Sequence, residues 1–127
     1  MDIEKQKQKI VILAEDDRTI ARLIIFKLEK EGFKVVHFLN GESVVDTVSK
    51  ILPDIVILDI MMPIQDGISI LKEIKINPKI KHIPVVILSA KGQEKDIIKG
   101  MEIGASDYIS KPFSPSELIV RIKRILS

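Results

Sequence analysis

The stretch DIVILDIMMPIQDG, residues 54 to 67, decides how this chain is read. Ile55-Val56-Ile57-Leu58 is apolar at every position, as expected of a central strand in a parallel sheet whose two faces are both covered. The run ends on a carboxylate, Asp59, and then breaks into Met61-Met62-Pro63 and the turn Asp66-Gly67. A charge at the end of a buried strand costs free energy unless something there uses it.

On either side of this strand, short apolar runs alternate with segments of helical period, the pattern of a doubly wound α/β sheet. KIVILA (9–14) is a first strand, and the helix after it carries Ile20, Leu23, Ile24 and Leu28, with Asp17 as cap and Gly32 as stop. FKVVHF (33–38) is a second strand. Asn40-Gly41 then opens a helix running to about Lys50, and Asp66-Gly67 starts another bearing Ile68, Leu71 and Ile74. VVILSA (85–90) is a fourth strand, EKDIIKGMEIG (94–104) a helix ended by Gly104, and DYIS (107–110) a short fifth strand. The last helix has Ser114 as cap, Pro115 in its first turn and Glu117 completing a capping box.

At 127 residues there is room for one compact domain and not for two. Residues 1–8 read as a polar lead-in and 9–127 as the domain. A formal net charge of +2 gives no reason to expect direct nucleic-acid binding. The chain has no cysteine, which excludes thiol chemistry and fits a reducing, cytoplasmic setting. No apolar run has membrane-spanning length and no signal-peptide core follows the lysine-rich start, so neither membrane insertion nor secretion is expected.

In an open parallel sheet the ligand site lies at the carboxyl ends of the strands. Those ends carry Glu15 and Asp16 after the first strand, Asp59 on the third, Ser89 on the fourth and Lys111 after the fifth. Singly each has a plain reading: Glu15 and Asp16 as solvated loop acids, Lys111 as a surface lysine, Ser89 as a strand-end hydroxyl. Together, three carboxylates within roughly 4–6 Å would repel one another by several kcal/mol, so a cation is expected among them. Hard oxygen donors with no His or Cys nearby point to Mg2+. A carboxylate nucleophile, a metal, a lysine and a hydroxyl donor are the parts of phosphoryl transfer, with Asp59 as acceptor.

The blocks ILAEDD, PDIVILDIMMPIQDG, VVILSAKG and GASDYISKPFSPSEL, in this order, resemble the receiver domains of two-component response regulators. The resemblance implies a flavodoxin-like (βα)5 fold with strand order 2-1-3-4-5. It implies that Asp59 accepts a phosphoryl group from the phosphohistidine of a sensor histidine kinase or histidine phosphotransfer protein. It also implies that Asp16, Asp59 and the main-chain carbonyl of Met61 bind Mg2+, with Glu15 acting through water. Ser89 and Lys111 would hold the phosphoryl oxygens, Lys111-Pro112 would be a cis peptide, and Tyr108 would be the aromatic that turns inward on activation. The variable positions Met61 and Lys91 flank the route of hydrolytic water, and an apolar Met61 is expected to prolong the life of the phosphoryl group.

The last two blocks look most like receivers of winged-helix transcription factors, whose output face is built from the fourth helix, fifth strand and fifth helix. Asp107, Glu117 and Arg121 match that face's charge-pair network, whereas Ile97 stands where a basic residue is usual. Reading Ile98 as core-facing puts Ile97 outward, which favours a contact with a partner protein, or with an output domain absent from this chain, over a phosphorylation-dependent homodimer. Two rivals to the phosphoacceptor reading stand. A receiver used only for interaction would lack one of the chemical groups, and all are present. A Mg2+-dependent phosphohydrolase with an aspartyl-phosphate intermediate commonly has a second aspartate two residues after its nucleophile, where this chain has Met61. His37 and His82 read as ordinary strand and loop residues.

Overall fold

A computed structural model describes residues 7–127, so most of the polar lead-in, residues 1–6, lies outside the described residues. Five strands and five helices alternate: β1 (Ile10–Ala14), α1 (Arg18–Lys30), β2 (Lys34–Phe38), α2 (Val44–Ile51), β3 (Ile55–Asp59), α3 (Gly67–Ile76), β4 (Val85–Ser89), α4 (Glu94–Ile103), β5 (Asp107–Ser110) and α5 (Pro115–Leu126). The strands form one sheet in the order β2-β1-β3-β4-β5, with every pairing parallel. Alternate residues of each strand point to opposite faces. Val11, Leu13, Ile55 and Ile57 therefore share a core with Ala21, Ile24 and Leu28 of α1 and with Leu118 and Ile122 of α5. Ile12, Ala14, Val56 and Leu58 share the other core with α2, α3 and α4.

Sheet order reverses between β1 and β3, because the chain leaves β1 for the edge strand β2 and returns on the far side of β1. A crevice opens at such a point beyond the strand ends. Every residue of β3 and of β4 is buried, which fixes the backbone beneath that crevice. Each buried aliphatic side chain contributes about 1.5–3 kcal/mol by leaving water.

Local signals set the helix starts. Asp17 accepts hydrogen bonds from the Thr19 and Ile20 amides at 2.9 and 3.1 Å, and Asp66 accepts from Ser69 N at 2.8 Å. Ser114 Oγ caps α5 through Glu117 N at 3.1 Å. The capping box is only half made, because the Glu117 carboxylate turns to Arg121, 3.3 Å away on the next turn.

Three expectations are corrected. Leu23 is 55% exposed rather than a core residue, since Ala21, Ile24 and Leu28 define the inward stripe of α1. Asn40-Gly41 lies in a loop, and α2 begins at Val44. On α4 the two isoleucines exchange roles: Ile97 packs against the core and Ile98 is 60% exposed. Gly100 is the cause. A Cβ there would lie 2.3 Å from Ile87 Cδ1, so the Gly100 side of the helix faces the sheet, and Ile97, three residues earlier, lies on that same side.

Candidate functional site

The rim of the sheet collects the polar residues that the strand ends announce. Glu15 is fully buried immediately after β1, Asp59 closes β3 at 4% exposure, and Ser89 closes β4 fully buried. Asp16, exposed, completes the acidic group. Among the described residues, Glu15, Asp16 and Asp59 bring one carboxylate oxygen each within 4.8 Å of the others. Two such charges repel by roughly 3 kcal/mol at an effective dielectric constant of ~20.

Lys111 supplies the opposing charge. Its peptide bond to Pro112 is cis, and its Nζ stands 2.9 Å from Asp59 Oδ2 and 2.9 Å from Glu15 Oε1. The contact to Asp59 is a hydrogen bond; that to Glu15 is an ion pair, leaving the buried Oε1 with no hydrogen-bond partner. The other oxygens are held by the main chain, Glu15 Oε2 by Asp17 N at 3.1 Å and Asp59 Oδ1 by Met61 N at 3.2 Å.

Burial, reinforced by the neighbouring Asp59 carboxylate, pushes the Glu15 carboxyl up to about 7. Burial alone would lower Lys111; Glu15 and Asp59 outweigh it and hold the ammonium above its ordinary value. Three converging carboxylates opposed by a single lysine suit a hard divalent cation, since every side-chain donor is oxygen.

Strand-end residues and those just beyond them converge here, and the outlying candidates lie elsewhere. Met61, 65% exposed, lines a shallow depression with Asp16, Met62, Pro63 and Asp66. Ser89 Oγ lies 3.3 Å from Ser110 Oγ, its register partner on β5. Tyr108 is 39% exposed on β5. Asp107, Glu117 and Arg121 join one another within the chain: Arg121 Nη1 reaches Asp107 Oδ1 at 3.1 Å and the Tyr108 carbonyl at 2.9 Å, and Nη2 reaches Glu117. Ile97 is withdrawn from the outer surface of α4, where Ile98 and Met101 stand instead.

Two supporting residues escape the sequence reading. His37 Nε2 bonds the Glu15 carbonyl at 2.8 Å, a contact from an edge strand that no motif marks. Ser110 could have been noticed as a second strand-end hydroxyl beside Lys111.

The profile of the response regulator receiver domain matches residues 11–123. The chain belongs to that family. This receiver is 40% identical over 116 residues to the phosphate regulon transcriptional regulatory protein PhoB of Escherichia coli, an alignment covering 91% of this chain and 51% of that protein. It thus spans about half the length of the curated relatives it matches. The receiver domain of Francisella response regulator 1452 superposes with a TM-score of 0.85 at 34% identity, covering 94% of this chain and 97% of that one. Response regulator DrrB of Thermotoga maritima, an OmpR/PhoB homologue, superposes with a TM-score of 0.83 at 31% identity, covering 94% of this chain and 53% of that one. The receiver is therefore a module of two-component signal transduction, with the flavodoxin-like strand order that the resemblance implies. Among the described residues no helix is long and apolar enough to cross a membrane.

Proposed function

We propose that this receiver takes a phosphoryl group from a phosphohistidine of a sensor histidine kinase or histidine phosphotransfer protein onto Asp59. The observation that carries the reading is the buried Asp59 carboxylate, hydrogen-bonded to Lys111 and crowded by two further acids at the sheet's reversal point. A carboxylate oxygen of Asp59 attacks phosphorus, the P–N bond to imidazole breaks, and the electron pair leaves with the ring nitrogen. Lys111 faces the charge on the transferring oxygens. Ser89 exchanges its Ser110 contact for a phosphoryl oxygen, and Tyr108 turns in behind it.

Asp16, Asp59 and the Met61 carbonyl would hold Mg2+, with Glu15 acting through water. The bound cation would neutralise charge on the acceptor and the phosphoryl oxygens. Met61, projecting at the rim, shields the acyl phosphate from water and prolongs its life. The domain catalyses its own modification and turns over no external metabolite. Its signal leaves through α4, β5 and α5, where Ile98, Met101, Tyr108 and Val120 are exposed, toward an effector protein or an output domain in the cytoplasm.

Incubation with acetyl phosphate, with and without Mg2+, followed by intact-mass measurement tests this. One phosphoryl addition that needs Mg2+ and vanishes in Asp59→Asn is expected. An unchanged wild-type mass favours an interaction-only receiver, and steady release of inorganic phosphate over many turnovers favours a phosphohydrolase.

A further inference from the structure

The loop between β3 and α3 holds a backbone conformation that its own sequence disfavours. Ile64 has φ of 73°, in the left-handed region that β-branched residues avoid, and its side chain is 72% exposed. Gln65 N donates to Pro63 O at 2.8 Å across it, which makes Pro63-Ile64-Gln65 a γ-turn of the strained, positive-φ kind. Neither the side chain nor the turn accounts for its own persistence, so the surroundings must impose it.

Gly41 is the imposing contact. It lies in the loop between β2 and α2, contributes no side chain, and is buried. Its N–H donates to the same Pro63 carbonyl at 3.1 Å. A Cβ at this position would stand 2.0 Å from Gln65 O and 2.9 Å from Ile70 Cδ1, so only glycine lets the two loops meet. Asn40 shapes the approach, its Oδ1 accepting from Glu42 N at 2.9 Å. Pro63 is two residues beyond Met61, whose amide is already tied to Asp59 and whose neighbour Met62 is buried. The backbone on either side of the Met61 carbonyl is thus tied down.

We propose that Gly41 is a positioning residue for the divalent-cation site, holding the γ-turn at Ile64 so that the Met61 carbonyl is preset toward the acids. The inference rests on the Mg2+ reading of Glu15, Asp16, Asp59 and Met61. Outer contacts that orient a metal's ligands typically alter affinity by about 10–100-fold.

Titration calorimetry of the metal-free full chain with MgCl2 tests it, with thermal melting run in parallel. Gly41→Ala is expected to raise the Kd for Mg2+ at least about tenfold. Asn40→Ala, which loosens the loop without a clash, is expected to raise it about threefold with little change in Tm, and it decides the matter alone should Gly41→Ala fail to fold. Gly32→Ala is the control: φ there is 95°, so alanine is strained at the end of α1, and Tm should fall while Kd stays put. Wild-type Kd in every folded variant of Gly41 and Asn40 overturns the positioning role. No Mg2+ binding by the wild type overturns the reading of the site itself, and the positioning role with it.

Discussion

Two aspartates bracket β3, and their surroundings separate structure from chemistry. Asp54, just before the strand, accepts a hydrogen bond from Ile10 N at 2.7 Å and so closes the amino end of the β1–β3 pair. It has no place in the acidic cluster. Asp59, at the other end, is nearly inaccessible, shares its surroundings with two more carboxylates, and depends on Lys111. The same side chain thus satisfies a backbone donor at one end of a strand and concentrates negative charge at the other. Crowding that folding alone would avoid marks the end that binds something.

The largest effect expected from this contrast is in phosphoryl transfer. Asp59→Asn should abolish labelling by acetyl phosphate and leave the melting temperature at or above that of the wild type, because it removes like-charge repulsion. A clearly lowered Tm would mean that Asp59, like Asp54, is chiefly a structural group.

Next is a pH effect centred on Glu15, whose folded-state value of about 7 exceeds the ordinary 4.5. The folded chain therefore binds this proton more tightly than the unfolded chain. The resulting stabilisation is fully present below about 4.5 and is lost as pH rises through about 7, amounting to about 3 kcal/mol. In the presence of EDTA, Tm should fall between pH 5 and pH 8, and Glu15→Gln should flatten that slope. Added Mg2+ should raise Tm more at pH 8 than at pH 6, since the cation needs ionised carboxylates. A slope that survives in Glu15→Gln would assign it to other groups.

Asp54→Ala should cost about 1–2 kcal/mol, measured by urea unfolding, through loss of a hydrogen bond to a charged acceptor, and should leave labelling intact. Loss of labelling there would erase the distinction between the two ends of β3. Smallest is Ile64→Gly, which relieves a left-handed isoleucine at the expense of chain entropy. A net gain of about 0.5–1 kcal/mol is expected in the same assay, and a loss would show that the exposed isoleucine contributes packing.

Much of the fold was legible because the five apolar runs and the capping residues report local preferences that the tertiary structure obeys. The site was legible for a related reason: in a parallel sheet, strand ends of distant sequence position must meet, so Asp59, Ser89 and Lys111 could be placed by topology alone. What escaped was set by close approach between elements. Ile97 and Ile98 are both apolar and adjacent on α4, and the close approach of Gly100 to Ile87 selects which one packs against the core. Leu23 fits a helical stripe in sequence but lies beside the one that α1 buries. Asn40-Gly41 carries the residue types of a helix start, yet it serves as the seat of another loop. The γ-turn at Ile64 runs against residue preference and leaves no local trace.

The most direct measurement is the position of the acyl phosphate. After labelling with acetyl phosphate and Mg2+, borohydride reduction converts a phosphorylated aspartate to homoserine, which peptide mass spectrometry locates. Homoserine at position 59, with Asp16, Asp54 and Asp66 unaltered, is the result expected from the geometry of the rim. Homoserine at any of those three positions, or at none, would contradict the assignment of Asp59 as the phosphoacceptor.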